Sequence, residues 1–145
     1  MANSLLISAA LKSSGKTTVT MGLCAALKQR GVTVQPFKKG PDYIDPMWLS
    51  RAAQIPCRNL DFFTMSHQQI INFFYQFTQN VDVAFIEGNK GLFDGLDPGG
   101  SDSNSALARL LGVPIILVVD TYGMTRGVAP LLKGYESFES DIKIA

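Results

Sequence analysis

Residues Leu5–Thr18 read LLISAALKSSGKTT, and this stretch decides the fold. Leu5–Ala9 is a short apolar run bounded by a glycine-containing loop, the pattern of a buried strand. Lys16–Gln29 follows, with Val19, Leu23, Ala26 and Leu27 at helical spacing, and Gly31 stops it as a natural C-cap. Between the two lies ALKSSGKT, Ala10–Thr17. A loop that holds phosphate must present several backbone N–H groups to one anion, so it needs small residues; the positive end of the following helix adds to the attraction. Ser13, Ser14 and Gly15 supply the small residues. Lys16 is placed to reach the β/γ-phosphates, Thr17 to hold Mg²⁺, and Thr18 to complete the nucleotide contacts at the helix start. Strand, loop and helix in that order are the context this motif requires. Its match to GxxxxGK(S/T) is incomplete, because Ala10 stands where the first Gly is expected.

Working outward, apolar runs keep alternating with helical patterns. Val32–Phe37 reads as a second strand, Gly40–Pro46 (GPDYIDP) as an ordered loop, and Pro46–Gln54 as a short helix. Ser66 is placed to cap a helix with Ile70, Ile71, Phe74 and Phe77 on one face. Val81–Ile86 reads as a strand, Glu87–Asn104 as a loop, and Ser105–Leu111 as a helix ended by Gly112. Pro114–Val119 reads as a strand buried on both faces, and Thr125–Phe138 as a helix that Pro130 bends or shortens. This alternation predicts an α/β fold with right-handed βαβ units and a parallel sheet, a P-loop NTPase domain. The last residues, IKIA at Ile142–Ala145, look like the first half of another strand, so residues 1–145 read as one domain of a longer protein, truncated at its C-terminus.

The 145 residues carry a formal net charge of +1, which calls for neither nucleic acid nor a membrane surface as partner. No apolar run approaches the roughly 18 residues of a membrane span. Cys24 and Cys57 are not in a CxxC arrangement and are expected to be reduced and structural, as in a cytoplasmic chain.

Carboxylates at the C-terminal ends of parallel strands point at the ligand crevice. Glu87 directly follows VAFI, and Asp42 follows the second strand, so both are candidates to hold Mg²⁺ together with Thr17. Pro41 and Pro46 stiffen the loop around Asp42 and Asp45. Asp94 lies in GLFDG, downstream of Glu87. Lys38 is placed to neutralise charge that develops during phosphoryl transfer. Lys39 and Lys90 are expected in solvent, Lys12 within the phosphate loop is open between a role there and a solvent-facing side chain, and Trp48, Phe62 and Phe63 are candidates to line a pocket for a flat substrate or to pack in the core.

SSGKTTVTMGLCAALKQRGVTVQPFKKGPDYIDP, the NLD at Asn59–Asp61, VAFIEGNKGLFDG and LARLLGVPIILVVDTYGM together resemble the cobyrinic acid a,c-diamide synthase family over nearly the whole chain. GPDYIDP with EGxxGLFDG is far more selective than the phosphate loop alone. Enzymes related to that family are cobyric acid synthase, dethiobiotin synthetase and, more distantly, the ParA/MinD ATPases. The resemblance implies a mechanism: a tetrapyrrole carboxylate attacks the γ-phosphate of ATP, and ammonia displaces phosphate from the acyl phosphate. It implies Lys16 and Thr17 at the nucleotide and Mg²⁺, Asp42 and Glu87 near the metal, Asp45 and Asp94 near the reacting carboxylate, and Lys38 near the transferred phosphoryl group. The ammonia would come from glutamine in a glutaminase domain or subunit. Neither cysteine has a nucleophile-elbow context, so this chain is not itself the glutaminase. A homodimer is compatible with the resemblance.

The stretch Ser101–Ala108, SDSNSALA, departs from the family's usual pattern, which leaves sirohaem or nickel sirohydrochlorin open as alternative substrates. A ParA/MinD-like switch is a further alternative; the extra lysine of those ATPases is missing at Leu11, and GPDYIDP also argues against it. A dethiobiotin synthetase-like carboxylate chemistry is a third.

Overall fold

A computed structural model describes residues 2–145. The elements run β1 (Asn3–Ala9), α1 (Lys16–Gln29), β2 (Val34–Lys39), α2 (Ile44–Ala53), β3 (Arg58–Leu60), α3 (His67–Thr78), β4 (Val83–Glu87), α4 (Asn104–Leu111), β5 (Ile115–Val118) and α5 (Val128–Phe138). The five strands form one parallel sheet in the order β3-β2-β4-β1-β5. The fold is therefore the parallel α/β type expected from the alternating pattern.

Side chains alternate across a strand, so each face of the sheet has its own core. Leu6, Phe37, Ala84 and Ile86 point to one face and pack with Ile70 and Phe74 of α3 and Leu107 of α4. Ile7, Val34 and Phe85 point to the other and pack with Cys24 of α1 and Ala53 of α2. Each such large apolar side chain, taken fully out of water, stabilises the fold by about 1.5–3 kcal/mol. Both faces of β2 are covered, and all six of its residues are buried.

The helix ends follow local chemistry. Gly31, at φ 79, follows the C-cap Arg30 of α1. Ser66 caps α3 in a full capping box with Gln69. Gly112, at φ 65, closes α4.

Three local expectations are corrected. GPDYIDP is not all loop: α2 starts at Ile44, so Asp45 and Pro46 lie in its first turn. The three-residue strand β3 pairs with β2 at the sheet edge, where a short run containing Arg58 and Asn59 carries no apolar pattern. β5 is the opposite edge of the described strands and only Ile115 is buried, because α5 has no buried residue and covers it thinly. α5 starts at Val128 rather than Thr125, shorter as expected, and Pro130 sits in its first turn, where its missing N–H is not needed. Ile144 makes a parallel bridge to Ile115, consistent with a strand pattern in the last residues.

Candidate functional site

The loop between β1 and α1 is held from both sides. Ala10 N–H donates to the Val118 carbonyl at 3.1 Å, and Leu92 N–H donates to the Ala9 carbonyl at 2.8 Å. Ser13 and Gly15 adopt left-handed φ values of 63° and 90°, and Gly15 is the N-cap of α1. A Cβ on Gly15 would meet nothing within 4 Å, so glycine is favoured there by backbone conformation and not by crowding. Ser13 in the same region costs about 1–3 kcal/mol, strain of the kind that collects at ligand loops. Ala10, in contrast, has no positive φ among the described residues, so the missing first glycine is conformationally harmless. The loop opens onto a cavity of about 570 Å³ lined by Lys12, Ser13, Gly15, Lys16, Thr17 and Thr18 on one side. Lys38, Asp42, Asp45 and Glu87 lie on the other. Ser14 does not line it; its hydroxyl donates to the Leu11 carbonyl at 2.8 Å. Lys12 is exposed at the rim.

Sheet register explains the second side. Lys38 pairs with Glu87 across β2 and β4, and alternation turns both toward α1 and α2. Lys38 Nζ donates to Asp45 Oδ2 at 2.7 Å and to Glu87 Oε1 at 2.9 Å, with Asp42 Oδ2 at 3.7 Å. Thr17 Oγ1 donates to the same Glu87 oxygen at 2.7 Å, and its contact to Asp45 Oδ2 is 3.4 Å. The first turn of α1, the last residues of β2, the first turn of α2 and the end of β4 thus meet at one point.

Electrostatics follow from burial. Desolvation is the largest influence on Glu87 and holds its carboxyl above the usual value, against the pull of Lys38 and Thr17. Desolvation also works against charge on Lys38, but the Glu87 charge and the hydrogen bonds to Asp45 and Glu87 outweigh it and raise its ammonium. Burial opposes ionisation of Asp45 as well; Lys38 overcomes it and leaves that carboxyl low. Lys16 is pulled down by burial and then by the nearby Lys38 charge, which together outweigh the opposing charges of Glu87 and Asp45.

The donor set suits Mg²⁺. Glu87 Oε2 is buried and has no hydrogen-bond partner. Thr17, Asp42, Asp45 and Glu87 offer only oxygen atoms, the donors of a hard cation. No three His, Cys, Asp or Glu side chains among the described residues are gathered closely enough to hold a metal alone. Asp42 also shapes the entry to α2, where its Oδ1 accepts from Ile44 N–H at 2.9 Å.

Two expectations about residues change, those for Lys39 and Trp48, and Asp94 takes a place of its own. Asp94 is exposed and stands apart from the Lys38 cluster, beside Phe93 and Tyr135. It remains close to the phosphate loop, since a Cβ on Gly91 would strike both the Asp94 carboxylate and the Ala10 carbonyl. Lys39 is not in solvent; it is 5% exposed, because alternation turns it under Phe62 on the face opposite Lys38. Trp48 is half exposed on α2 and lines neither the phosphate cavity nor its neighbour, whereas Phe62 and Phe63 do line a cavity. Lys90 is exposed, as expected. Burial pushes the thiols of Cys24 and Cys57 up to about 12, in line with inert structural cysteines.

Two asparagines support the site and carry no periodic signal. Asn104 is fully buried, and its amide donates to Ser8 Oγ and to the carbonyls of Asn89 and Gly91, while its oxygen accepts from Asn89 N–H. It ties the loop after β4 to β1, and Gly88 must be glycine because a Cβ there would lie 2.6 Å from the Asn104 side chain. Asn59, the first residue of NLD, donates at 2.7 Å to the carbonyls of both Gly40 and Asp42 and pins the GPD turn.

Comparison with known proteins shows the family and the fold. Residues 9–144 match the family model described as the CobQ/CobB/MinD/ParA nucleotide binding domain. Over 134 residues the chain is 58% identical to cobyrinate a,c-diamide synthase of Magnetococcus marinus, an alignment of 92% of this chain and 29% of the relative. Over 142 residues it is 44% identical to cobyrinate a,c-diamide synthase of Syntrophotalea carbinolica, covering 97% and 31%. The chain therefore spans about three-tenths of the length of the curated relatives it matches. Among solved structures, the signal recognition particle receptor FtsY of Elizabethkingia anophelis bound to GDP superposes with TM-score 0.67 at 14% identity, over 100% of this chain and 47% of that one. Chloroplast FtsY of Physcomitrella patens gives 0.66 at 15%, over 99% and 48%. These two show a shared P-loop NTPase fold and nothing more. No helix among the described residues is long and apolar enough to cross a membrane.

Proposed function

As the chain belongs to the CobQ/CobB/MinD/ParA nucleotide-binding domain family, we propose that it is the Mg-ATP-binding synthetase part of an amide-forming ligase acting on cobyrinic acid. The substrate assignment is supported by the names of relatives up to 58% identical. In this reading a side-chain carboxylate of the acceptor attacks the γ-phosphorus, the bond to the β,γ-bridging oxygen breaks, and ADP leaves. Ammonia then attacks the acyl carbon, phosphate departs, and the amide remains. Glutamine, handled by a separate domain or subunit, is the proposed ammonia source.

The observation that carries the reading is Lys38 Nζ, buried between Asp45 and Glu87 beside Thr17. The phosphate loop and Lys16 bind the polyphosphate. Thr17, Asp42 and Glu87 would hold Mg²⁺, which when bound offsets charge on the phosphate oxygens. Lys38, kept cationic by its two acids, faces the charge that grows on the transferred group. Asp45 orients Lys38, and Asp94, from its place beside the phosphate loop, borders the approach of the acceptor. The test is ATP-dependent hydroxamate formation when hydroxylamine replaces ammonia, with cobyrinic acid as acceptor; failure of cobyrinic acid while ATP is still hydrolysed without it would reject the ligase reading.

A further inference from the structure

A second cavity, of about 290 Å³, opens on the other side of Asn89 and Lys90, which line both it and the phosphate cavity. At its base lies Lys39, 5% exposed. Lys39 Nζ has one hydrogen-bond acceptor, Asn89 Oδ1 at 3.1 Å, and the face of Phe62 at 5.9 Å. No carboxylate lies within 4.0 Å of it among the described residues. A buried ammonium without a counter-ion is costly. Two acids border the cavity, and both are already engaged. Asp61 accepts from Phe63 N–H and Thr64 Oγ1. Asp102 accepts from Leu96 N–H and Asp97 N–H, which closes the loop after GLFDG. Burial accordingly dominates the Lys39 ammonium and pulls it below its usual value. The amine is built in, it has no carboxylate in ion-pair contact, although Asp102 and Asp61 favour its ammonium from a distance, and it faces a cavity also lined by the exposed Lys90 and the apolar side chains of Phe63 and Leu96.

Lys38 and Lys39 are consecutive, so alternation sends them to opposite faces of the sheet. An anion at Lys39 is therefore not the group at the Lys38–Asp45–Glu87 cluster. We propose that this cavity binds a second, non-reacting carboxylate of the acceptor through Lys39, with Lys90 at the rim and the acceptor's apolar body resting on Phe63 and Leu96. The acceptor of the proposed function would then be held at two carboxylates, one on either side of the Asn89–Lys90 wall. This rests on the ligase reading for the identity of the acceptor, but the anion site itself is testable without turnover.

The experiment titrates cobyrinic acid into the natural full-length protein without nucleotide, following the acceptor's visible absorbance. Binding is expected to weaken about ten- to hundred-fold in Lys39→Met, the loss of one charge-assisted hydrogen bond. Lys39→Arg is expected to keep most of the affinity. Added salt should weaken the wild type more than Lys39→Met. Mg-ATP affinity should stay within about two-fold in all three proteins. Absence of wild-type binding, or equal binding by folded Lys39→Met, overturns the proposal; so does a parallel loss of Mg-ATP affinity, which marks a general structural role. If Lys39→Met does not fold, Lys39→Gln against Lys39→Arg makes the same comparison. Lys39-dependent binding without ATP-dependent hydroxamate rejects the ligase reading and leaves this site standing. Hydroxamate formation by Lys39→Met at the wild-type KM for the acceptor does the reverse.

Discussion

Thr17 and Glu87 are 70 positions apart in the chain, and their side chains meet at 2.7 Å. One is in the first turn of the helix that follows the phosphate loop; the other ends β4. Register sets Glu87 level with Ile7 and Lys38, since β4 pairs with both β1 and β2, and the loop after β1 brings the start of α1 to it. The contact joins the phosphate-binding side of the cavity to its acidic side.

Lys16 lies on the first side, buried and without a carboxylate partner among the described ion pairs. Lys16→Ala is expected to weaken Mg-ATP binding at least ten- to hundred-fold, the value of charge-assisted contacts to phosphate. Calorimetry on the full-length protein checks this. Unchanged affinity removes the phosphate-loop assignment.

Glu87→Gln separates function from stability. The Glu87 carboxyl lies above its usual 4.5 in the folded chain, mainly through burial. Such a group binds its proton more readily folded than unfolded. Its contribution to stability is present below pH 4.5 and is lost as pH rises through the folded value. Where the side chain is ionised, burial makes that form costly, a cost that glutamine avoids. The variant is expected to have a Tm at neutral pH equal to or above that of the wild type, while its Mg²⁺ requirement rises about ten-fold or more. Wild-type Mg²⁺ dependence in both Glu87→Gln and Asp42→Asn moves the metal elsewhere, and a fall in Tm contradicts the burial argument.

Asn104→Ala is expected to destabilise by about 2–4 kcal/mol, because it strands buried partners on Ser8, Asn89 and Gly91. Urea unfolding with an unchanged slope measures it. A loss below about 1 kcal/mol would mean that the loop after β4 is held mainly by its backbone bonds.

Much of this architecture is legible in the sequence. The bounds of α1, Lys16 to Gln29, follow from it because the phosphate loop and Gly31 mark both ends chemically. Ser66 and Gly112 mark helix ends in the same way. Asp45 reads as a loop residue because Pro46 looks like a helix start, whereas proline is tolerated anywhere in the first turn. Lys39 reads as solvated because two adjacent lysines usually are; only the register of β2 between β3 and β4 shows that they enter opposite faces. Asn104 is invisible to periodicity, since its role depends on three loop carbonyl and hydroxyl groups that arrive from β1 and the loop after β4.

In the proposed function Asp45 and Asp94 are the acids assigned nearest the acceptor. Asp45 touches Lys38, whereas Asp94 stands across the phosphate loop near Tyr135. The decisive measurement is hydroxamate formation by the full-length protein with Mg-ATP, hydroxylamine and, in turn, cobyrinic acid, nickel sirohydrochlorin and sirohaem. The account predicts hydroxamate and stoichiometric phosphate release with cobyrinic acid, and loss of most turnover in Asp45→Asn and Asp94→Asn with ATP binding retained. ATP hydrolysis that proceeds without any of the three acceptors, yields no hydroxamate and rises with protein concentration would contradict it.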